Sequence, residues 1–310
     1  MEYQSFSQIV EAVQNKAKKH VLAIAGAAEQ EVLEAARHAR KEGIVEPLLV
    51  GDSSAICAVL RGMRENPADW SIEHAETGME ASVAVDLARN GVATALMKGA
   101  IETKDLLQPL VKKENGLRSG ATMSHVVFFD HVPGLRKLIV VSDGGMILYP
   151  TLADKKAILE NAVGVLRAIG YTRPKVAVIT AVEKVHPNMI ESVEAETLCQ
   201  MNRNGEIQNC VVEGPISYDV AMSPEIARHK GYRSENPGDF DVFIMPNMNA
   251  GNILGKCWTV TCGALMGGIV TGAKVPVVLT SRGSSAQEKF NSIALAALVS
   301  SGSGYMSTGL

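Results

Sequence analysis

Short apolar runs alternating with longer stretches of helical spacing constrain this 310-residue chain more than any other feature. VLAIAG (from Val21), EPLLVG (Glu46), GVATALMKG (Gly91), HVVFFD (His125) and KLIVVSD (Lys137) read as strands. So do KVAVIT (Lys175), QNCVVEG (Gln208), FDVFIMPN (Phe240) and VPVVLTS (Val275). Many are apolar on both faces, as parallel strands covered by helices must be. Helical spacing follows in AEQEVLEAARHARKEG, EASVAVDLARNG, ADKKAILENAVGVLRAIG, SPEIARHKG and a last segment from Ser285. Strand, helix and strand in repetition predict an α/β fold with a parallel sheet and right-handed crossovers. A 46% hydrophobic composition with few aromatics supplies an aliphatic core suited to that class.

The length suggests two domains or one large α/β unit, and a break in the pattern favours two. HVPGLRK (131–137) is a Pro/Gly turn between two strand-like runs, which breaks the strand–helix rhythm and marks a crossing into a second sheet. The strongly apolar final helix must be buried and is expected to return to the first domain. The expected division is therefore 1–133 plus 270–310 for the first domain and 134–269 for the second. A net charge of −3 predicts no nucleic-acid partner, so an anionic ligand needs a local basic pocket. The five cysteines form no CxxC pair and no zinc spacing, and no metal site is expected. The N-terminus reads as an amphipathic helix rather than a signal peptide, and no apolar run reaches membrane-spanning length. A soluble cytoplasmic protein is expected.

Nucleotide motifs fail. The first strand ends in IAGAAEQE without GxGxxG, and no stretch supplies GxxxxGK[ST]. The scattered histidines form no HExxH. Asp130 and His131 are adjacent on a strand and so face opposite ways.

Ligands of open α/β sheets sit beyond the carboxyl ends of the strands. There the chain places Lys98, Gly99 and Thr103; Ser142, Asp143 and Gly144; Asn247, Asn249 and Asn252; and Ser281 and Arg282. In VVLTSRGSS, small hydroxyls and a glycine free backbone N–H groups, and the arginine adds a forked cation suited to a phosphate or a carboxylate. Ser285–x–x–Glu288 also reads as a capping box for the last helix. In PNMNAGNILGK, Asn249 is the expected N-cap, and Gly251 allows close approach of another backbone. Lys256 shares a helical face with Asn252.

MKGAIET, GPISYD, PNMNAGNILGK and VVLTSRGSS, in this order and spacing, resemble the phosphate acetyltransferase and phosphate butyryltransferase family over nearly the whole chain. LMKG, GLRSG, LTSR and NSIALAALV look closest to the butyryl or branched-chain members. The resemblance implies a two-domain isocitrate/isopropylmalate dehydrogenase-like fold with an interdomain cleft, in a homodimer. It implies the reaction acyl-CoA + phosphate ⇌ acyl phosphate + CoA. Coenzyme A and phosphate would be substrates, with no bound cofactor or metal. The alternatives are an acetyl-specific enzyme or a non-catalytic acyl-CoA-binding protein. By the same resemblance Ser281, Arg282 and Glu288 are the catalytic candidates, with Glu288 either base or helix cap. Lys98, Thr103, Asn247, Asn252, Lys256 and Arg118 are candidates for substrate binding. Thr103 either meets a phosphate oxygen or caps its helix; Tyr218 and Asp219 either shape the site or, for Asp219, cap the segment after it. One departure stands out: Gln108 occupies the position of an arginine that contacts CoA in the acetyltransferases. That grip would then fall to Arg118, Lys112 or Lys113.

Overall fold

The computed structural model describes residues 2–16, 20–112, 117, 122–281 and 283–302. In chain order the main elements begin with α1 (Phe6–Gln14), β1 (His20–Ala25), α2 (Gln30–Lys41), β2 (Val45–Gly51), α3 (Ser53–Gly62), β3 (Ser71–His74), α4 (Glu80–Arg89), β4 (Ala95–Lys98) and α5 (Thr103–Val111). There follow β5 (Ser124–Asp130), β6 (Ile139–Ser142), α6 (Leu152–Ala168), β7 (Lys175–Thr180), α7 (Ile190–Arg203), β8 (Val211–Ser217), α8 (Tyr218–Met222) and α9 (Pro224–His229). The last are β9 (Val242–Ile244), α10 (Met248–Lys256), β10 (Leu265–Thr271), β11 (Val277–Val278) and α11 (Ala286–Ser300). No helix among the described residues is long and apolar enough to cross a membrane.

The chain forms two compact units. A flanking unit holds residues 7–121 and 267–310, and an insert unit holds residues 1–6 and 122–266. The turn at 131–137, expected to carry the chain between domains, lies within the insert unit, between β5 and β6.

In the flanking unit the strand order is β3-β2-β1-β4-β11-β10. All neighbours run parallel except β10 and β11. β4 is buried along its whole length, as a central parallel strand must be. α2 carries Glu31 in its first turn and His38, Arg40 and Lys41 in its last, charges that complement its dipole. Its apolar face (Val32, Leu33, Ala36) is buried, and α11 packs against it with Phe290 stacked on His38 at 4.0 Å. α11 is buried almost all round, which explains its continuous apolar sequence.

In the insert unit the order is β5-β6-β9-β7-β8, parallel except for β5 and β6. Its core includes Phe129, Phe243 and Trp258, with Trp258 edge-on to Phe129 at 5.1 Å. At the amino ends of the strands, buried Lys137 bonds Asp241 at 2.7 Å and pairs with Asp239 at 2.8 Å. The first residues join this unit: Tyr3 N–H donates to the Tyr171 hydroxyl, and Leu138 N–H to the Tyr3 carbonyl.

Each expected strand and helix exists, but several elements escape the sequence reading. β3 is a polar edge strand with little burial. β10 contains Gly267 and Gly268 and so lacks a continuous apolar run. α7 buries Ser192, Ala195, Leu198 and Cys199, a face too small and polar to give strong periodicity.

Candidate active site

Two groups of candidate residues form, one in each unit. In the flanking unit, β4 and β11 are parallel neighbours with Met97 opposite Val278, so their carboxyl ends lie side by side. Lys98 ends β4. It is buried, and its ammonium donates to the carbonyls of Gly99 (3.1 Å) and Ile101 (3.0 Å), drawing in the loop that leads to α5. Gly99 is required there, because a Cβ would sit 2.1 Å from the Gly26 carbonyl oxygen. That loop ends at Glu102, the N-cap position of α5. Thr103 is the first helical residue and is exposed, so the expectation that it caps the helix is not met.

Beyond β11 the chain makes a tight turn. Ser281 Oγ accepts from Gly283 N–H at 3.2 Å, and the Ser281 carbonyl accepts from Ser284 N–H at 3.1 Å. Ser281 itself is exposed. Arg282 lies outside the described residues, as do Arg118 and Lys113. The capping box is fully formed: Ser285 Oγ accepts from Glu288 N–H (3.2 Å), and Glu288 Oε2 accepts from Ser285 N–H (2.9 Å). Glu288 thus performs the capping role that the sequence offered as one of its two readings. Lys289, which the sequence reading passed over, is only 2% exposed and donates to the Ser284 carbonyl at 2.6 Å. A lysine inside an otherwise apolar helix was the available signal, since a buried ammonium needs a partner. Gln108 and Lys112 are exposed, on α5 and at its C-cap.

In the insert unit the candidates gather around α10. Asn247, not Asn249, is its N-cap; Asn247 Oδ1 accepts from Ala250 N–H at 3.0 Å. The helix therefore begins two residues earlier than expected, because Asn247 directly follows Pro246 in extended conformation. Gly251 faces the loop after β6, where a Cβ would lie 2.6 Å from the Asp143 carbonyl oxygen. That contact brings Asn252 Nδ2 within 3.1 Å of the Gly144 carbonyl. Lys256 follows one turn later and is exposed.

Buried Asp143 organises the neighbouring loop. Its Oδ1 accepts from Gly145 N–H (2.7 Å) and Met146 N–H (2.8 Å), and its Oδ2 from His125 N–H (3.2 Å). The His125 ring is desolvated, which holds its pKa below the usual value although Asp143 pulls the other way. Its Nε2 is shielded and has no hydrogen-bond partner among the described residues. No motif in the sequence singled His125 out.

At the end of β8, Ser217 Oγ reaches both Glu183 and Asp219, and Lys230 Nζ lies 2.9 Å from each carboxylate. The serine bonds first, then the lysine, hold both carboxylates below their ordinary range. Asp219 is thus an ion-pair partner rather than a cap; Ser223 caps α9 by accepting from Ile226 N–H. The Tyr218 hydroxyl accepts from Trp258 Nε1 at 3.1 Å, and burial raises its pKa.

Comparison with known proteins gives the family. Residues 68–297 match the family model described as phosphate acetyl/butaryl transferase. The chain is 42% identical to the phosphate butyryltransferase of Clostridium acetobutylicum, over 95% of this chain and 98% of that protein. The structure of a branched-chain phosphotransacylase from Enterococcus faecalis V583 is similar with a TM-score of 0.80 at 33% identity, covering 91% of this chain and 99% of that one. The fold alone is shared with a 4-hydroxythreonine-4-phosphate dehydrogenase from Klebsiella pneumoniae, at a TM-score of 0.60 and 13% identity over 91% of this chain and all of that one. With the family model matched over most of its length, the chain belongs to the phosphate acetyl/butyryl transferase family.

Proposed function

We propose that the protein catalyses acyl-CoA + phosphate ⇌ acyl phosphate + CoA, with butyryl or branched short-chain acyl groups as substrates. The observation that carries this reading is the near end-to-end likeness to a phosphate butyryltransferase. Coenzyme A and phosphate are substrates, and the chemistry calls for no resident metal or cofactor. A phosphate oxygen attacks the thioester carbonyl carbon, the tetrahedral oxyanion collapses, the C–S bond breaks, and the thiolate takes a proton. Repulsion between anionic phosphate and the charged CoA is the main obstacle, and a guanidinium fork both offsets it and aims the nucleophile. Arg282 is assigned that role. Ser281, exposed on its tight turn, is assigned to the oxyanion, where each well-placed donor contributes about 3–4 kcal/mol.

Glu288 is the candidate base for the CoA thiol in the reverse direction. A thiol with a pKa of about 8.5 is only a few per cent ionised at neutral pH, so a nearby base speeds attack. Lys98, Thr103, Asn247, Asn252, Lys256 and Arg118 are assigned to binding the substrates. Two of these carry other duties: Lys98 holds its loop and Asn247 caps α10. An isocitrate/isopropylmalate dehydrogenase-like architecture, a cytoplasmic location and a homodimer complete the reading. The dehydrogenase likeness and the mostly parallel sheets support the first of these.

The test is thiol release from acetyl-, propionyl-, butyryl- and isobutyryl-CoA in phosphate buffer, without added metal or nicotinamide. Arg282→Ala should slow turnover well over tenfold and raise the phosphate KM, since a lost charged hydrogen bond costs about 2–3 kcal/mol. No release from any of the four substrates leaves a non-catalytic acyl-CoA-binding protein. Release from acetyl-CoA alone makes the enzyme acetyl-specific.

A further inference from the structure

A cavity of about 400 Å³ opens in the insert unit at the carboxyl ends of β7 and β9, where the first turns of α7 and α10 begin. Its size lies at the lower end for small-molecule sites. Ile179, Ala181, Met189, Met245, Pro246 and Ala250 give it apolar walls. Two of the polar atoms beside them are engaged locally. Thr180 Oγ1 donates to the Val182 carbonyl at 2.7 Å and accepts from Val182 N–H, and Asn247 Oδ1 is bonded to Ala250 N–H. Glu191 is the one ionisable residue of the lining, and its carboxylate opposes the entry of a second anion.

We infer that this cavity receives the acyl chain of the acyl-CoA, with Met189 and Met245 setting the chain length and branching it accepts. The inference rests on the acyltransferase reading and specifies which part of the substrate goes where. Phosphate is ill suited to a pocket with apolar walls and a carboxylate. The pantetheine arm carries several amides, and a mostly apolar wall would leave most of their hydrogen bonds to water unreplaced. The acyl group alone is both uncharged and apolar. Position agrees with this: the cavity lies beyond the carboxyl ends of parallel strands, and its lining includes Asn247, already a binding candidate. Methionine walls suit a mixed clientele, because a flexible thioether repacks around linear and branched chains alike. Met245 is buried and Met189 partly exposed, so Met189 is the wall that can be changed with less disturbance to the core. Ala181 is exposed and can be enlarged on the same terms.

The experiment measures kcat/KM for acetyl-, butyryl-, isobutyryl- and hexanoyl-CoA in the intact protein, in Ala181→Phe and in Met189→Ala. Thermal melting confirms that each variant is folded. Ala181→Phe should lower butyryl and isobutyryl relative to acetyl by about tenfold or more, the range of discrimination for a methylene-sized change in a pocket. Met189→Ala should raise the hexanoyl-to-butyryl ratio at least about fivefold, since hexanoyl adds two methylenes, each worth about fourfold when buried. The phosphate KM should stay within twofold of the intact protein in both variants, as about 1.4 kcal/mol corresponds to each tenfold change. If the intact protein is active and both folded variants keep their acyl ratios, the cavity is not the acyl pocket and the acyltransferase reading survives. An equal loss for all four substrates, with a matching rise in KM for free CoA in the reverse reaction, assigns the cavity to the pantetheine arm and overturns the inference. An intact protein inactive on every substrate removes the acyltransferase reading, and this inference with it.

Discussion

Replacing Glu288 with glutamine separates the two roles that one carboxylate can play at the start of α11. The capping box contains two bonds, Ser285 Oγ to Glu288 N–H and Glu288 Oε2 to Ser285 N–H. A glutamine carbonyl keeps the second bond, so only the charge is lost. At a helix N-terminus that charge contributes about 0.3–1 kcal/mol. For a unit of roughly 150–250 residues, 1 kcal/mol moves the melting temperature by about 2–4 °C. Glu288→Gln should therefore melt within about 4 °C of the intact protein. A general base contributes a factor of about 10²–10⁴, so loss of proton transfer should reduce kcat at least about a hundredfold. Ser285→Ala is the converse: it deletes a cap at a cost of about 1 kcal/mol and leaves the carboxylate in place. It should lower the melting temperature and spare the rate. Thiol-release and acyl-phosphate assays, run beside calorimetry, read both quantities. A Glu288→Gln protein that retains more than about a third of the wild-type kcat would refute the base assignment, because general-base catalysis is worth far more than that. Glu288 would then be a cap alone.

Gly251→Ala should destabilise the insert unit by up to about 2 kcal/mol, the overpacking cost minus the gain in helix propensity. It should also raise the acyl-CoA KM, since the new Cβ presses on the Asp143 carbonyl and shifts α10; urea midpoints and initial rates check both effects. His125 makes a pH prediction. Its folded pKa is depressed, mainly by burial, so below about pH 6.5 the unfolded chain binds a proton that the folded chain refuses. This contribution to stability is present above the unfolded pKa and is lost as pH falls, by up to about 1.4 kcal/mol per unit. Urea midpoints of the intact protein and His125→Leu between pH 5 and 7.5 should diverge on that account; parallel curves would count against a buried neutral imidazole.

The sequence reading was strongest where side-chain pattern and backbone demand coincide. VVLTSRGSSAQE marked the end of a buried strand, a hydroxyl-rich turn and a capping box, and Ser281, Ser285 and Glu288 take those places. Gly251 was recognised as a point of close approach, although the Asp143 loop it meets could not be known from a distance of many residues. Asn247 and Asn249 are equally good caps by residue type, and only the extended backbone after Pro246 selects Asn247. His125 and Lys289 were missed because their significance lies in burial, which depends on what the rest of the chain places around them. The ion pair of Asp219 was illegible for the same reason: Lys230, its partner, comes close only through the fold. Weak or glycine-broken segments such as β3 and β10 become strands because their neighbours offer hydrogen-bonding edges, a tertiary effect that local propensity does not report.

The interruption of the flanking unit by the insert bears on how the polypeptide is born. β4 can pair with β1 early but gains its second neighbour only when Val277 and Val278 have been synthesised, and α2, resting on β2, lacks its helical partner until α11 follows. During translation the apolar face of α2 and an open strand edge must wait while the whole insert emerges, whereas the insert can complete its own sheet first. Such late, long-range closure makes folding slow and leaves the half-made unit prone to sticking. Chaperone dependence, and aggregation of chains cut short before residue 277, should therefore trace to the early half of the sequence rather than to the insert.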